Sequence, residues 1–197
     1  MLDQEKHVAM EVHTQRLIDA IQSGDAELQG QSFQTLVTET DEPVEWAYEV
    51  WDQLLGLLKH KDNRCRAIAA QILCRLAVSD PEQRMVGGIP ALLDVIRDER
   101  FVTARHCLQT LWRVGVAGKR QREVLVEGLT GRFQECATEK NFTLIRYDII
   151  ECLRKIQDQA GDELTRAFWL GAAAFAACFL SSLKDHQSPF HGPKRSV

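Results

Sequence analysis

The chain has 197 residues, 45% of them hydrophobic and 26% charged, with a net charge of −4. That suffices for one domain with its own core, unlike a disordered composition. The acidic balance argues against a field-driven nucleic-acid binder, although a local basic strip is compatible with it.

Five prolines among many Leu, Ala, Glu, Gln and Arg residues favour an all-α chain. The polar start, Met1 to Lys6, lacks the apolar run of a secretory signal. Val12, Leu17, Ile18 and Ile21 mark a first amphipathic helix that stops near Ser23-Gly24. Asp25 can cap a second, with Leu28, Phe33, Leu36 and Val37, ending by Asp41-Glu42-Pro43. An apolar helix follows over Val44 to Leu58. Asp62 or Asn63 then caps a helix from about Arg64 to Val78. Ser79-Asp80-Pro81-Glu82 reads as a cap into a short helix that breaks at Gly87-Gly88, and Pro90 opens another over Ala91 to Arg97. Helices over Phe101 to Val116, Gln121 to Ala137 and Phe142 to Gln157 complete the series, and Gly161 breaks it. We read 1–161 as one repeat domain, 162–184 as an apolar C-terminal helix and 185–197 as a disordered tail.

No chemistry-bearing pattern emerges. The cysteines (Cys65, Cys74, Cys107, Cys136, Cys152 and Cys178) contain no CxxC spacing, so they read as buried reduced thiols, which favours a reducing, cytoplasmic setting. No HExxH occurs among the histidines. His106 and Cys107 are helix neighbours pointing about 100° apart, which prevents a dyad. No catalytic residue, metal ligand or cofactor site is expected.

The dominant feature is an internal repeat. Arg66 to Leu76, Ala104 to Val114 and Arg146 to Ile156 superpose so that Leu73, Leu111 and Leu153 coincide. So do Gln71, Gln109 and Glu151, and also Arg75, Arg113 and Lys155. A fainter copy runs from Gln29 to Glu39, with Leu36 at the leucine position. Helical periods near forty residues indicate an α-solenoid. Ile68, Ile72, Leu73, Leu76, Leu108, Leu111, Ile149, Ile150 and Leu153 form its expected core.

The segment Ala77 to Ile96, with Gly88-Ile89-Pro90-Ala91-Leu92 at its centre, resembles an armadillo repeat junction. The resemblance covers about Trp51 to Val116. The flanking repeats lack the Gly-Ile-Pro element and are equally similar to HEAT repeats. It implies a right-handed α-α superhelix of about four repeats plus the C-terminal helix, with a concave groove lined by the third helix of each repeat.

The groove positions implied are Gln71, Arg75, Gln109, Trp112, Arg113, Glu151 and Lys155. Peptide-binding armadillo proteins commonly carry Trp and Asn where this chain has Gln, Gln, Glu and Arg, Arg, Lys. A cationic ladder repels basic import signals and resembles grooves that take acidic, extended partners. The plainer alternative is solvated charge on exposed helix faces, with Glu151 paired to Lys155 at i,i+4. The resemblance thus implies a scaffold or adaptor for a protein or peptide, and no enzyme.

Two other readings stand beside it. Some HEAT-like proteins are DNA-repair glycosylases, and Trp46, Trp51, Asp52, Trp112 and Trp169 could imitate their cleft. The uncharged stretch Ala167 to Leu183, flanked by Arg166 and Lys184, could cap the solenoid, mediate a homodimer or tether an adaptor to a membrane.

Overall fold

A computed structural model describes residues 2–161 together with 166, 167 and 171. The described residues are all-α, without a strand. The helices are α1 (Leu2–Gln22), α2 (Ala26–Glu39), α3 (Ala47–Leu57), α4 (Asn63–Leu76), α5 (Met85–Val95), α6 (Phe101–Thr110), α7 (Trp112–Ala117), α8 (Lys119–Glu135) and α9 (Phe142–Ala160). The proposed C-terminal helix and tail lie almost wholly outside the described residues.

Several boundaries follow from side chains the sequence makes visible. Asp25 accepts from the Glu27 and Leu28 amides at 2.8 and 3.1 Å, and Asp62 accepts from the Arg64 amide at 3.0 Å. Each offsets one end's unmet N–H groups. At the other end of the chain, Gly161 takes φ +66°, a left-handed conformation that costs glycine little, and closes α9.

Two expectations fail. Gly87-Gly88 is not a break: α5 runs through Gly87, Gly88 and Pro90 without interruption. The cause is Asp80, whose carboxylate accepts from the Arg84 amide at 2.8 Å and the Met85 amide at 2.7 Å and so starts the helix early. Met85, Gly88, Ile89 and Leu92 are then buried on one face, while Pro90 is exposed. The expected helix over Phe101 to Val116 divides at Leu111 into α6 and α7. There the Val114 amide bonds the Leu111 carbonyl at 3.0 Å in a tighter turn.

The helices carrying the repeat are neighbours in space. α2 packs on α4, α4 on α6, and α6 on α9. Behind them α1 packs on α2, α3 on α4, and α8 on both α5 and α9. One contiguous core joins them, containing Ile68, Ile72, Leu73, Leu76, Leu108, Leu111, Ile149 and Leu153, with Ile150 half-buried against it. Burying such side chains supplies about 1.5–3 kcal/mol each, the dominant favourable contribution.

Polar contacts repeat along the same row. Gln29 Nε2 donates to Asp62 Oδ2 at 3.1 Å, and Arg66 donates to both Asp98 oxygens at 2.6 and 2.8 Å. Gln29 lies four residues after the cap Asp25, and Arg66 lies four after the cap Asp62. Each such residue therefore reaches an acid just before a following helix, Asp62 before α4 and Asp98 before α6. Arg105 then holds Asp148 with bonds of 2.7 and 3.1 Å, linking α6 to α9. The donors of the first two contacts are readable as Asp-x-x-x-Gln over residues 25–29 and Asp-x-x-x-Arg over residues 62–66, a signal outweighed in the sequence by the leucine pattern.

Candidate binding face

Trp112 begins α7 and is half-buried against the core. Two cations lie over its ring. The Arg113 guanidinium carbon is 4.9 Å from the ring centroid, and Lys155 Nζ, from the adjoining α9, is 5.7 Å away. Such contacts are favourable because the ring face carries negative electrostatic potential. The repeat alignment placed Arg113 and Lys155 at equivalent positions, and the fold puts both against one aromatic ring.

Arg75 is placed differently. An exposed cation of the ladder was expected, but its side chain is only 9% exposed. Its Nε donates to Thr40 Oγ1 at 2.9 Å, and its Nη2 donates to the Val37 carbonyl at 2.7 Å and to Asp41 Oδ1. Arg75 thereby ties α4 to the C-terminal end of α2. Asp41 is also 3.9 Å from Arg113 Nη2, so one carboxylate faces two guanidinium groups. Burial first, and Arg75 second, hold the Arg113 pKa below its ordinary value, with Asp41 opposing them. Arg113 is thus a partly desolvated cation with incomplete compensation.

The remaining predicted residues divide. Gln109 is exposed on α6. Gln71 is half-buried and its amide nitrogen donates to the Ala67 carbonyl at 3.1 Å. Glu151 pairs with Arg154 at 3.0 Å, and the anticipated contact to Lys155 is replaced by that i,i+3 pair. Arg154 also reaches Asp158 at 2.6 Å, leaving Lys155 directed to Trp112.

Apolar groups border this face. From Gly24 onward, the exposed large hydrophobic side chains among the described residues are Leu28, Val78, Val102, Leu144 and Tyr147. All lie on or directly after α2, α4, α6 and α9. None lies on α3, α5 or α8. Val102 and Leu144 coincide in the repeat alignment. In the sequence each of these residues, taken singly, resembles ordinary core.

Cys65, Cys74, Cys107, Cys136 and Cys152 are buried free thiols. Burial pushes Cys65 up to about 11 and raises Cys74, Cys136 and Cys152 as well. Thiolate chemistry at neutral pH is thereby suppressed.

The cleft imagined from tryptophans looks different in the fold. Trp46 and Trp51 are buried in the core, and Asp52 pairs at the surface with Arg84 at 3.0 Å. Trp169 lies outside the described residues. No helix among the described residues is long and apolar enough to cross a membrane, and Ala167 to Leu183 falls mostly outside them. No family model and no curated protein matches this chain.

Proposed function

We propose that the chain is a right-handed armadillo/HEAT-type solenoid that acts as a binding scaffold. Its face formed by α2, α4, α6, α7 and α9 takes an acidic, extended segment of a protein partner. The spatial adjacency of the aligned helices, their continuous core and the relay of polar contacts between successive repeats support the solenoid reading. Five buried reduced cysteines are in keeping with a reducing, cytoplasmic setting.

The observation carrying the binding role is the placement of Arg113 and Lys155 over Trp112. A carboxylate arriving there would meet two cations and would supply the compensation that Arg113 lacks. Val102, Leu144 and Tyr147, exposed nearer the N-terminal ends of α6 and α9, offer apolar contact to the uncharged side chains of an extended partner. Arg75 acts within the scaffold rather than at the interface. The cationic ladder of the sequence thus becomes a two-cation clamp on one tryptophan.

The test uses fluorescence anisotropy with labelled twelve-residue peptides that alternate Glu or Asp with Leu or Phe, beside lysine-containing counterparts. The acidic series should bind and weaken with rising salt, because exposed charge attraction is screened. Arg113→Glu with Lys155→Glu should reduce affinity at least tenfold, and Trp112→Ala should do likewise. Equal binding of acidic and basic peptides, or full affinity in the double reversal, would overturn the assignment.

A further inference from the structure

Asp41 follows Thr40, the residue that closes α2. Its side chain is 63% exposed, yet it is held in place. Arg75, anchored on Thr40 Oγ1 and the Val37 carbonyl, also donates to Asp41 Oδ1. The same oxygen lies 3.9 Å from Arg113 Nη2. The protein thus sets one of its own carboxylates beside the cation that a partner's carboxylate would seek.

The order of the helices gives this contact a direction. α2 packs on α4, α4 on α6 and α7, and both α6 and α7 on α9. Asp41 therefore reaches Arg113 from the α2 end of the row. Lys155, over the same Trp112 ring as Arg113, reaches it from the α9 end. A carboxylate arriving between Arg113 and Lys155 meets two cations. A second carboxylate placed toward α2 meets Asp41, the exposed Glu42 after it and the negative C-terminal end of the α2 dipole. Arg75, which might offset them, is buried and already bonded to three acceptors.

We infer that Asp41 is the specificity-determining residue of this face: it admits one partner carboxylate at Trp112 and excludes a second on the side of α2. The inference rests on the binding role proposed above. Residues two apart in an extended segment share a side and lie about 7 Å from each other. That is within the screening length of about 8 Å at physiological ionic strength, so the second charge stays in the field of Asp41. Like charges brought together in this way exclude a wrong partner more than they weaken the right one. The fitting partner carries an acidic residue whose neighbour two positions toward α2 is uncharged.

The test is fluorescence anisotropy on the full chain with three labelled twelve-residue peptides of Ser and Leu. One has a single central Glu, and the other two add a second Glu two positions before or two positions after it. The wild type is compared with Asp41→Asn, which keeps an oxygen to accept from Arg75. For one of the double-Glu peptides, the gain over the single-Glu peptide should be at least threefold larger in Asp41→Asn than in the wild type. The position of that second Glu gives the direction of the bound segment. The difference should vanish in about 1 M salt, where charges are screened within about 3 Å. A merely structural role for Asp41 would change the affinity of all three peptides alike. Equal gains in both proteins, for both double-Glu peptides, overturn the inference and leave the binding role standing. Absence of binding by every peptide to both proteins overturns the binding role and the inference with it. Should Asp41→Asn lose its helical circular dichroism, Asp41→Ala takes its place with the same outcomes.

Discussion

Ile156 of α9 occupies the space where a Cβ on Gly115 of α7 would stand. Both residues are buried, and the contact draws the short α7 against α9 beside Trp112 and Lys155. Gly115→Ala must displace a fully buried isoleucine. Overpacking of this kind costs about 1–3 kcal/mol. Chemical denaturation should show that loss, and combining the change with Ile156→Val should recover part of it. Full additivity of the two changes would mean that the side chains do not meet.

Arg75 and Arg113 should separate cleanly in stability. Arg75→Ala removes the donor to Thr40 Oγ1 and to the Val37 carbonyl inside the fold. Charge-assisted bonds to a buried arginine support an expected loss of about 2–3 kcal/mol. Arg113→Ala loses an exposed-side pair and one cation–π contact, worth about 1 kcal/mol or less together. Urea melts of the two variants measure the difference. Equal destabilisation would place Arg75 on the surface after all.

Acid should weaken the fold through carboxylates held by hydrogen bonds from neighbouring helices or from the preceding turn. The Gln29 amide foremost holds Asp62 below its usual pKa, and Arg132 does the same for Glu139. Burial pushes Asp98 upward, but bonds from Arg66 and the Arg100 amide outweigh it, and its pKa is also lowered. A carboxylate with a lower pKa in the folded state stabilises fully above its unfolded value, and loses that contribution as pH falls through the folded value. Stability should therefore be level above about pH 5 and decline below the ordinary carboxylate range near pH 4. Asp98→Asn, measured by thermal melts from pH 7 to pH 3, should lower stability at neutrality and flatten the acid decline.

The buried thiols give a labelling prediction. Native protein treated briefly with iodoacetamide at neutral pH should carry no label at Cys65, Cys74, Cys107, Cys136 or Cys152, because burial shields all five and also raises the pKa of Cys65, Cys74, Cys136 and Cys152. Peptide mass spectrometry after denaturation should find all five labelled. Rapid native labelling of any one would show that its helix opens locally.

Helical periodicity determined the all-helical class, and the segments aligned by leucine spacing lie on helices that touch in succession. Short-range chemistry also set the caps at Asp25 and Asp62 and the stop at Gly161, since each acts within a few residues of itself. Other features depended on distant neighbours. Asp80, bonded to Tyr48, starts α5 early enough to carry Gly87, Gly88 and Pro90 inside it, so that cap and core burial override weak local propensity. Gln71, Gln109 and Glu151 align perfectly well along the chain, yet each meets different surroundings. Arg75 and Arg113 likewise occupy equivalent positions, but Thr40 and Asp41 at the end of α2 enclose the first, while Trp112 and Lys155 border the second. A repeat pattern specifies equivalent places on successive helices; what fills the space opposite each place comes from another part of the chain, and packing alone decides it.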